Sequence, residues 1–599
     1  MTYPAQANVM QRREIGFTYG SSSGNATPAD IINNKLSRIS SMSTNLLAPY
    51  SGNNIADFDW SGTGRRVRQS MGAGRIVRDS RANSTDVGFT NLDHFGRMKD
   101  FAFRGGVAGS SGFNTVQYRA QYGYDEVGNR TSSKISERIG NNVLTDNADS
   151  VESLYDALNR LTGTKTGTLD GNGHATGVLK HTDTWKLDLL GNWVGDANHP
   201  GRESTRDIGN NAVETRSSTH AVNERNELTF VDFAAENAAN PPPPVDTTTI
   251  YDQSGNLVYD GIYFYQYDAW GRLIQVNQTT SLLEAPSSAP APSPCPEGPF
   301  TIGAMIKHFT YDGLGRLVRV QSPWPDSDNA SGGVRSERFY YDGARRIQEL
   351  VTDPIATIEL LETPEGAGNN PELNELMNQT VPGEILGSGD GSANPMNLES
   401  GLLENPSTVI GSGGTPLPTS LSGLEREYVW GPGDNGLDEI LVQYDSERKP
   451  FWMIQDGGGD VVAMCDLAGS GGTARVLRSW QYDAYGQCLR ATDVVTSTSG
   501  YSIPLNRIGH KGLFMDRLDK GLADPTTHAD IPRLEPLSSV LYQNRNRTYS
   551  PQFGRFIQRD PNETGQSTTD TACLCSALEN MTRENERIGL VRMSNVLPG

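Results

Sequence analysis

Residues 310–320, Thr-Tyr-Asp-Gly-Leu-Gly-Arg-Leu-Val-Arg-Val, decide the fold. Tyr311 suits the end of a strand, because an aromatic ring packs well on a pleated surface. Asp312 can accept a hydrogen bond from the backbone two residues on and so start a turn, and Gly315 takes the left-handed position that completes it. Leu317 then alternates with charged neighbours, as a return strand with one buried face requires. The stretch reads as a β-hairpin.

Working outward, the same unit begins at Tyr124-Asp125, Tyr155-Asp156, Tyr251-Asp252, Tyr267-Asp268 (with Gly271), Tyr341-Asp342 and Tyr482-Asp483 (with Gly486), and more weakly at Leu92-Asp93 and Leu187-Asp188. Asp93, Asp125, Asp156 and Asp188 lie 32, 31 and 32 residues apart, a fixed period of the kind that marks a repeat architecture. One hairpin cannot bury its own apolar face, so successive units must pair edge to edge. The expected class is all-β. A tyrosine recurring with the structural period is read as packing; sugar stacking is the competing reading.

The second informative stretch is Leu541–Asp560, LYQNRNRTYSPQFGRFIQRD, followed by Pro561. In a strand, Arg545, Arg547 and Tyr549 would share one face. Ser550-Pro551 through Gly554 reads as a turn leading into Arg555-Phe556. An arginine, a Tyr-x-Pro-x-x-Gly-Arg-Phe turn and an Asp-Pro at this spacing resemble the signature closing the core of RHS/YD-repeat proteins, and the upstream hairpins resemble that family's repeats. The likeness is strongest over 249–350 and 425–561 and looser over 85–235.

The resemblance implies a spiral β-sheet closing into a hollow, cocoon-like shell, with the core segment plugging one end. It implies a toxin-like segment, the chain's own or separately encoded, as the enclosed partner, an N-terminal delivery module, and a secreted or cell-surface location. It also implies release by a single self-cleavage in the manner of aspartic proteases, where two carboxylates share a proton. Arg547 and Asp560 map onto the signature's arginine and aspartate. The second aspartate block is not found. Asp560-Pro-Asn-Glu-Thr-Gly565 is two residues longer than Asp-Pro-x-Gly, and Asp570 is the one aspartate downstream. The expectation is a structural shell whose cargo is missing or truncated here, with at most vestigial single-turnover cleavage; the alternative role for Asp560 and the signature arginines is a buried ion-pair network that fixes the plug. An adhesion scaffold that binds cell-surface glycan is the alternative.

Composition supports short strands and turns: 65 glycines and 35% hydrophobic residues in 599. The net charge is −20, and the stretch 351–424 carries ten acidic residues with no Lys or Arg, half of the total. That balance argues against nucleic-acid binding, which needs basic surface. Five scattered cysteines give no disulfide framework. The pair Cys573 and Cys575 lacks further ligands, the eight histidines are single, and no cofactor fingerprint is present, so neither metal nor cofactor is expected. Gly20 to Gly24 matches a nucleophile-elbow pattern only formally. No apolar run is long enough to span a membrane, and the N-terminus lacks a secretory leader's pattern, so export would depend on something outside the chain. The expected layout is a degenerate array at 1–84, repeats at 85–235, a Pro-rich linker at 236–248, repeats at 249–350 with a loop at 280–300, an acidic insertion at 351–424, the core segment at 425–565, and a tail at 566–599 with a helix at 570–593.

Overall fold

The computed structural model describes residues 13–20, 26–48, 52–61, 64–80, 91–105, 115–139, 143–196, 198–209, 212–236, 246–279, 302–323, 334–355, 422–433, 439–467, 474–494, 506–518 and 539–559. Asp560, Pro561, most of the linker, the 280–300 loop, most of the acidic insertion and the 570–593 helix lie outside them.

The protein is all-β and built of hairpins. A 16-stranded sheet starts at Ile15–Tyr19 and ends at Thr247–Thr248. A 14-stranded sheet follows from Ile250–Tyr251 to Cys488–Asp493. In both, chain neighbours are sheet neighbours; the exception is Val143–Asp146, which pairs off the path on Arg130–Ile139. A four-stranded sheet then joins Phe514–Arg517, Val540–Asn544, Arg547–Ser550 and Arg555–Phe556. The one α-helix among the described residues, Pro28–Lys35, starts on a capping box between Thr27 and Asp30. No helix among them is long and apolar enough to cross a membrane.

The repeat turns have the chemistry expected of them. Asp312 accepts the amides of Leu314 and Arg316 on one carboxylate oxygen, both at 2.9 Å, and the Arg316 Nε on the other at 2.7 Å. Gly315 sits at φ +78°, where a side chain would be strained. The same two amide bonds form at Asp156, Asp188, Asp252, Asp268 and Asp483. They also form at Asp445, which Tyr444 precedes, and at Asp170, Asn223 and Asp456, where no tyrosine does. Asn159 and Asn226 take the left-handed position in two turns, as asparagine tolerates. The Tyr341-Asp342 copy departs from the pattern. Its fifth residue, where the repeat has glycine, is Arg345, so Gly343 takes the positive φ and Asp342 pairs with Arg345 across a two-residue loop.

Each repeat is also tied to the one before it. The hydroxyls of Tyr124, Tyr155, Tyr267, Tyr311, Tyr341 and Tyr482 donate to the carbonyls of Met98, Arg130, Leu257, Leu273, Leu317 and Val461, at 2.6–3.0 Å. Each acceptor is the first residue to pair back across the preceding turn. Arginines reach forward: Arg97 lies 4.4 Å over the Tyr124 ring, Arg272 5.0 Å over Tyr311, and Arg316 5.4 Å over Tyr341. The tyrosines therefore pack and bond between repeats, which weighs against their offering sugar-stacking faces.

The strand ending at Ile355 pairs with the strand beginning at Ser422, through Leu350 with Leu424 and Thr352 with Ser422. The two ends of the acidic insertion are thus strands of one sheet, a correction to its expected bounds. Ion pairs join the two large sheets: Arg13 to Glu427 at 2.7 Å, Arg202 to Asp483 at 2.6 Å, and Arg66 to Glu439 and Arg490 to Glu137. Two of the three apolar clusters combine residues of all three sheets, and the third joins the two large ones.

Candidate functional site at the signature sheet

The signature folds as two turns in series. Tyr542 pairs with Tyr549 and Asn544 with Arg547, so Arg545 and Asn546 form a two-residue hairpin loop with Arg545 at φ +52°. This corrects the expectation that Arg545 shares a strand face with Arg547 and Tyr549: Arg545 is exposed at the loop. The expected second turn forms, with the Gly554 amide donating to the Pro551 carbonyl at 3.3 Å and Gly554 at φ +63°. Arg555 and Phe556 then pair back onto Ser550 and Tyr549.

Turn tips of both large sheets hold this small sheet. The Tyr549 hydroxyl donates to the Tyr485 carbonyl at 2.9 Å and the Tyr542 hydroxyl to that of Gly486 at 3.0 Å. Arg555 donates to the Asn192 side chain at 3.1 Å and the Asn226 carbonyl at 3.3 Å, both in turns of the first sheet. On the second sheet, the Leu257 amide donates to the Ile557 carbonyl at 2.8 Å, and the Arg559 amide to Asn256 at 3.3 Å. Gly554 lies against the Trp193 and Tyr485 rings. A Cβ there would come within 2.4 Å of Trp193 and 3.0 Å of Tyr485, so no side chain fits.

Beneath the small sheet lies a buried charge network, built from residues other than Asp560 and the signature arginines to which the sequence reading assigned one. Arg507, fully buried, bonds Glu337 at 2.7 Å and Asp516 at 3.0 Å. Glu349 receives Arg346 at 2.9 Å and Arg426 at 2.8 Å, while Arg346 also donates to Gln543 of the signature at 2.7 Å. Gln543 in turn bonds Asp516. Burial pushes the Glu349 carboxyl up, but Arg507, Arg426 and Arg346 outweigh it and hold the group below the usual glutamate range. Lys307 lies 3.7 Å from Asp516 and Arg426 also bonds Glu425 at 2.6 Å, so four cations face four carboxylates and the cluster is neutral as a whole. Arg346 also lies 3.6 Å over Phe339 and 4.0 Å over Phe514. These residues sit inside otherwise apolar β-patterns, and nothing in their local spacing announces that they meet.

Of the expected cleavage residues, Arg547 is half-buried with its guanidinium 3.8 Å over the Phe556 ring. Asp560 lies outside the described residues. A different carboxylate pair is found at Asp456 and Asp460. It lines a cavity of about 170 Å³ with Tyr122, Arg130, His510 and Lys511. Burial, then Asp460, pushes the Asp456 carboxyl up; burial also acts on Asp460, but His510 and Lys511 hold it below the carboxylate range. Opposed shifts are what acid–base catalysis uses. Here, however, Asp456 is the aspartate of its own turn, accepting Gly458 and Asp460 amides at 2.8 and 2.9 Å. Asp460 anchors the Lys511 amide at 2.7 Å and His510 at 3.0 Å. The pair is accounted for structurally. No cluster of three or more potential metal ligands occurs among the described residues, and Cys465 and Cys488 are buried free thiols.

No family model and no curated protein matches the chain. Among solved structures it is similar to a TcdB2-TccC3-TEV crystal structure at 12% identity and TM-score 0.46, over 90% of this chain and 20% of that one. A TcdB2-TccC3-Cdc42 structure gives 12% identity and TM-score 0.45, over 92% and 20%. A Photorhabdus luminescens Tc holotoxin pore carrying TccC3-D651A gives 11% identity and TM-score 0.43, over 90% and 19%. The chain spans about a fifth of the length of each.

Proposed function

We propose that this chain is a structural β-shell unit of the RHS/YD-repeat kind, in which the hairpin arrays wall off a space and the signature sheet seals their junction. The enclosed partner is a toxin-like segment, the chain's own or separately encoded. One observation carries the reading: the sheet resembling the family's core-closing signature is seated on turn tips of both arrays at once, through Arg555, Ile557 and Arg559. Its hydroxyls and its one essential glycine are spent on contacts that fix it there, which suits a seal better than a substrate site.

Arg547 and Asp560 are, in this reading, the remnant of a self-cleavage site. Asp560 without a second carboxylate cannot share a proton, so the chain stays intact. The test fuses an unstructured, protease-sensitive reporter after Gly599 and digests the native protein. Protection of the reporter in the wild type, lost when Gly554→Trp unseats the signature, supports enclosure. Digestion at the rate of the free reporter overturns it. Intact mass separates the cleavage question: a 65.1 kDa chain that Asp560→Asn leaves unchanged is the expected result.

A further inference from the structure

We propose that His220 is a proton-operated release for the signature sheet: neutral, it lets Arg555 and Gly554 seat; protonated, it drives them off. The inference rests on the reading of that sheet as a seal and adds its regulation.

His220 is buried in the strand Ala212–Val222 with its ring stacked on Trp193, centroids 4.8 Å apart at 28°. Trp193 is the side chain against which Gly554 fits without room for a Cβ. The His220 Nε2 has no hydrogen-bond partner. Two cations oppose a positive charge on the ring. Arg555 comes from the small sheet, spending its hydrogen bonds on Asn192, Asn226 and Tyr251. Arg202 comes from the neighbouring strand, 5.4 Å over Trp193 and paired with Asp183 at 3.1 Å and Asp483 at 2.6 Å. Asp183 is also held by His181 at 2.7 Å. The carboxylates of the seam are thus engaged by Arg202 and His181. A proton on His220 would put a third positive charge beside two guanidiniums in a site shielded from water, with no acceptor on Nε2.

The direction follows from where the proton prefers to bind. Burial, then Arg555 and Arg202, pushes the imidazole well below its usual range. Unfolded or unseated, the group titrates near 6.5, so the seat is strongest above that pH and weakens as pH falls below it. Asp483, raised by burial, acts in the opposite sense but only nearer the carboxylate range. Asp183 is held below that range and keeps its charge throughout. Between about pH 6.5 and pH 5 the histidine decides the sign. A mildly acidic compartment would therefore loosen the seal without unfolding the arrays.

Hydrogen exchange of the intact chain, followed by mass spectrometry on peptides within 540–559, tests this. After correction for intrinsic rates, protection should fall by up to about tenfold from about pH 7.5 to about pH 5.5. His220→Phe keeps an aromatic ring on Trp193 and cannot titrate, so it should hold its protection at both. An equal fall in His220→Phe, or no fall in the wild type, overturns the proposal. Local exchange is needed because His308, also pushed below its usual range by burial, would weaken the second sheet in the same window. Should His220→Phe not fold, the wild type still decides. With ring-labelled histidine, the His220 imidazole must stay neutral through this window while the sheet is seated, and a seated His220 that titrates near 6.5 counts against the device. No cargo enters this measurement. A pH-sensitive seam beside an unprotected reporter would end the enclosure reading and leave this one standing; the reverse result would do the opposite.

Discussion

The repeat strands of the first sheet and the later strands of the second are made of the same hairpin but stand up by different means. Arg202–Gly209 is mostly exposed or half-buried along its length, and Ala175–Trp185 buries only its C-terminal end. Ile440–Tyr444, Pro450–Gln455 and Val461–Asp466 are buried at nearly every position, on both faces. The first kind of strand has little apolar surface to bury and depends on its turns: a carboxylate that replaces lost amide partners, and a tyrosine and an arginine that couple one turn to the next. The second kind is held by packing and by a neutral buried ion network. Turn chemistry distributes stability in small local increments, as in other repeat arrays. Burial on two faces concentrates it in a few places whose loss is felt everywhere.

The largest effect should come from striking the concentrated half. Arg507→Ala leaves Glu337 and Asp516 without their arginine in a site Arg507 shares with Glu349, and a broken buried ion cluster typically costs about 3–5 kcal/mol. Thermal unfolding should shift down for the second and small sheets together. If Arg507→Ala is tolerated like a surface change, the contrast between the halves is false. Gly554→Ala comes next. It adds the strain of a β-carbon at φ +63°, about 1–2 kcal/mol, to a collision with Trp193. The expected outcome is loss of exchange protection over 547–559 with the arrays still folded by circular dichroism. Cooperative unfolding of the whole chain would show that the small sheet is a keystone rather than a seal.

These ranks track how much could be read from the chain. The turns were legible because each is written in consecutive residues: Tyr311, Asp312, Gly315 and Arg316 make their bonds within one loop and to the next. The Pro551–Gly554 turn was legible for the same reason. Arg545 was misplaced because alternation says which face a strand residue takes, not where the strand ends; the loop at Arg545-Asn546 is short and lacks the expected glycine. The turns at Asp170, Asn223 and Asp456 were missed because tyrosine was used as the flag, whereas the fold needs only the side-chain acceptor; Tyr444-Asp445 carries the flag but has Arg448, at φ +64°, where the repeat expects glycine. The Arg346, Arg426 and Arg507 cluster draws residues from positions 337 to 516, and only tertiary structure brings them together. The Trp193 contact with Gly554 had a partial signal, a tryptophan where the repeat normally places leucine.

The smallest predicted effects lie in the array, and they test whether its stability is additive. Asp312→Ala removes the acceptor for two amides and the partner of Arg316, with an expected cost of about 1–3 kcal/mol, reduced because the turn is partly open to water. Asp312→Asn keeps an oxygen for the amides and should recover most of it, as Asn223 does naturally in its own turn. Tyr311→Phe deletes only the bond to the Leu273 carbonyl, about 0.5–1.5 kcal/mol. Exchange should quicken at the two repeats that this bond joins and nowhere else. Combined with Tyr124→Phe, which cuts the analogous bond to Met98 in the other sheet, the losses should simply add, because the two bonds share no partner. A synergistic loss would mean that coupling runs the length of the array, and the distinction between a locally held half and a cooperatively packed half would fall.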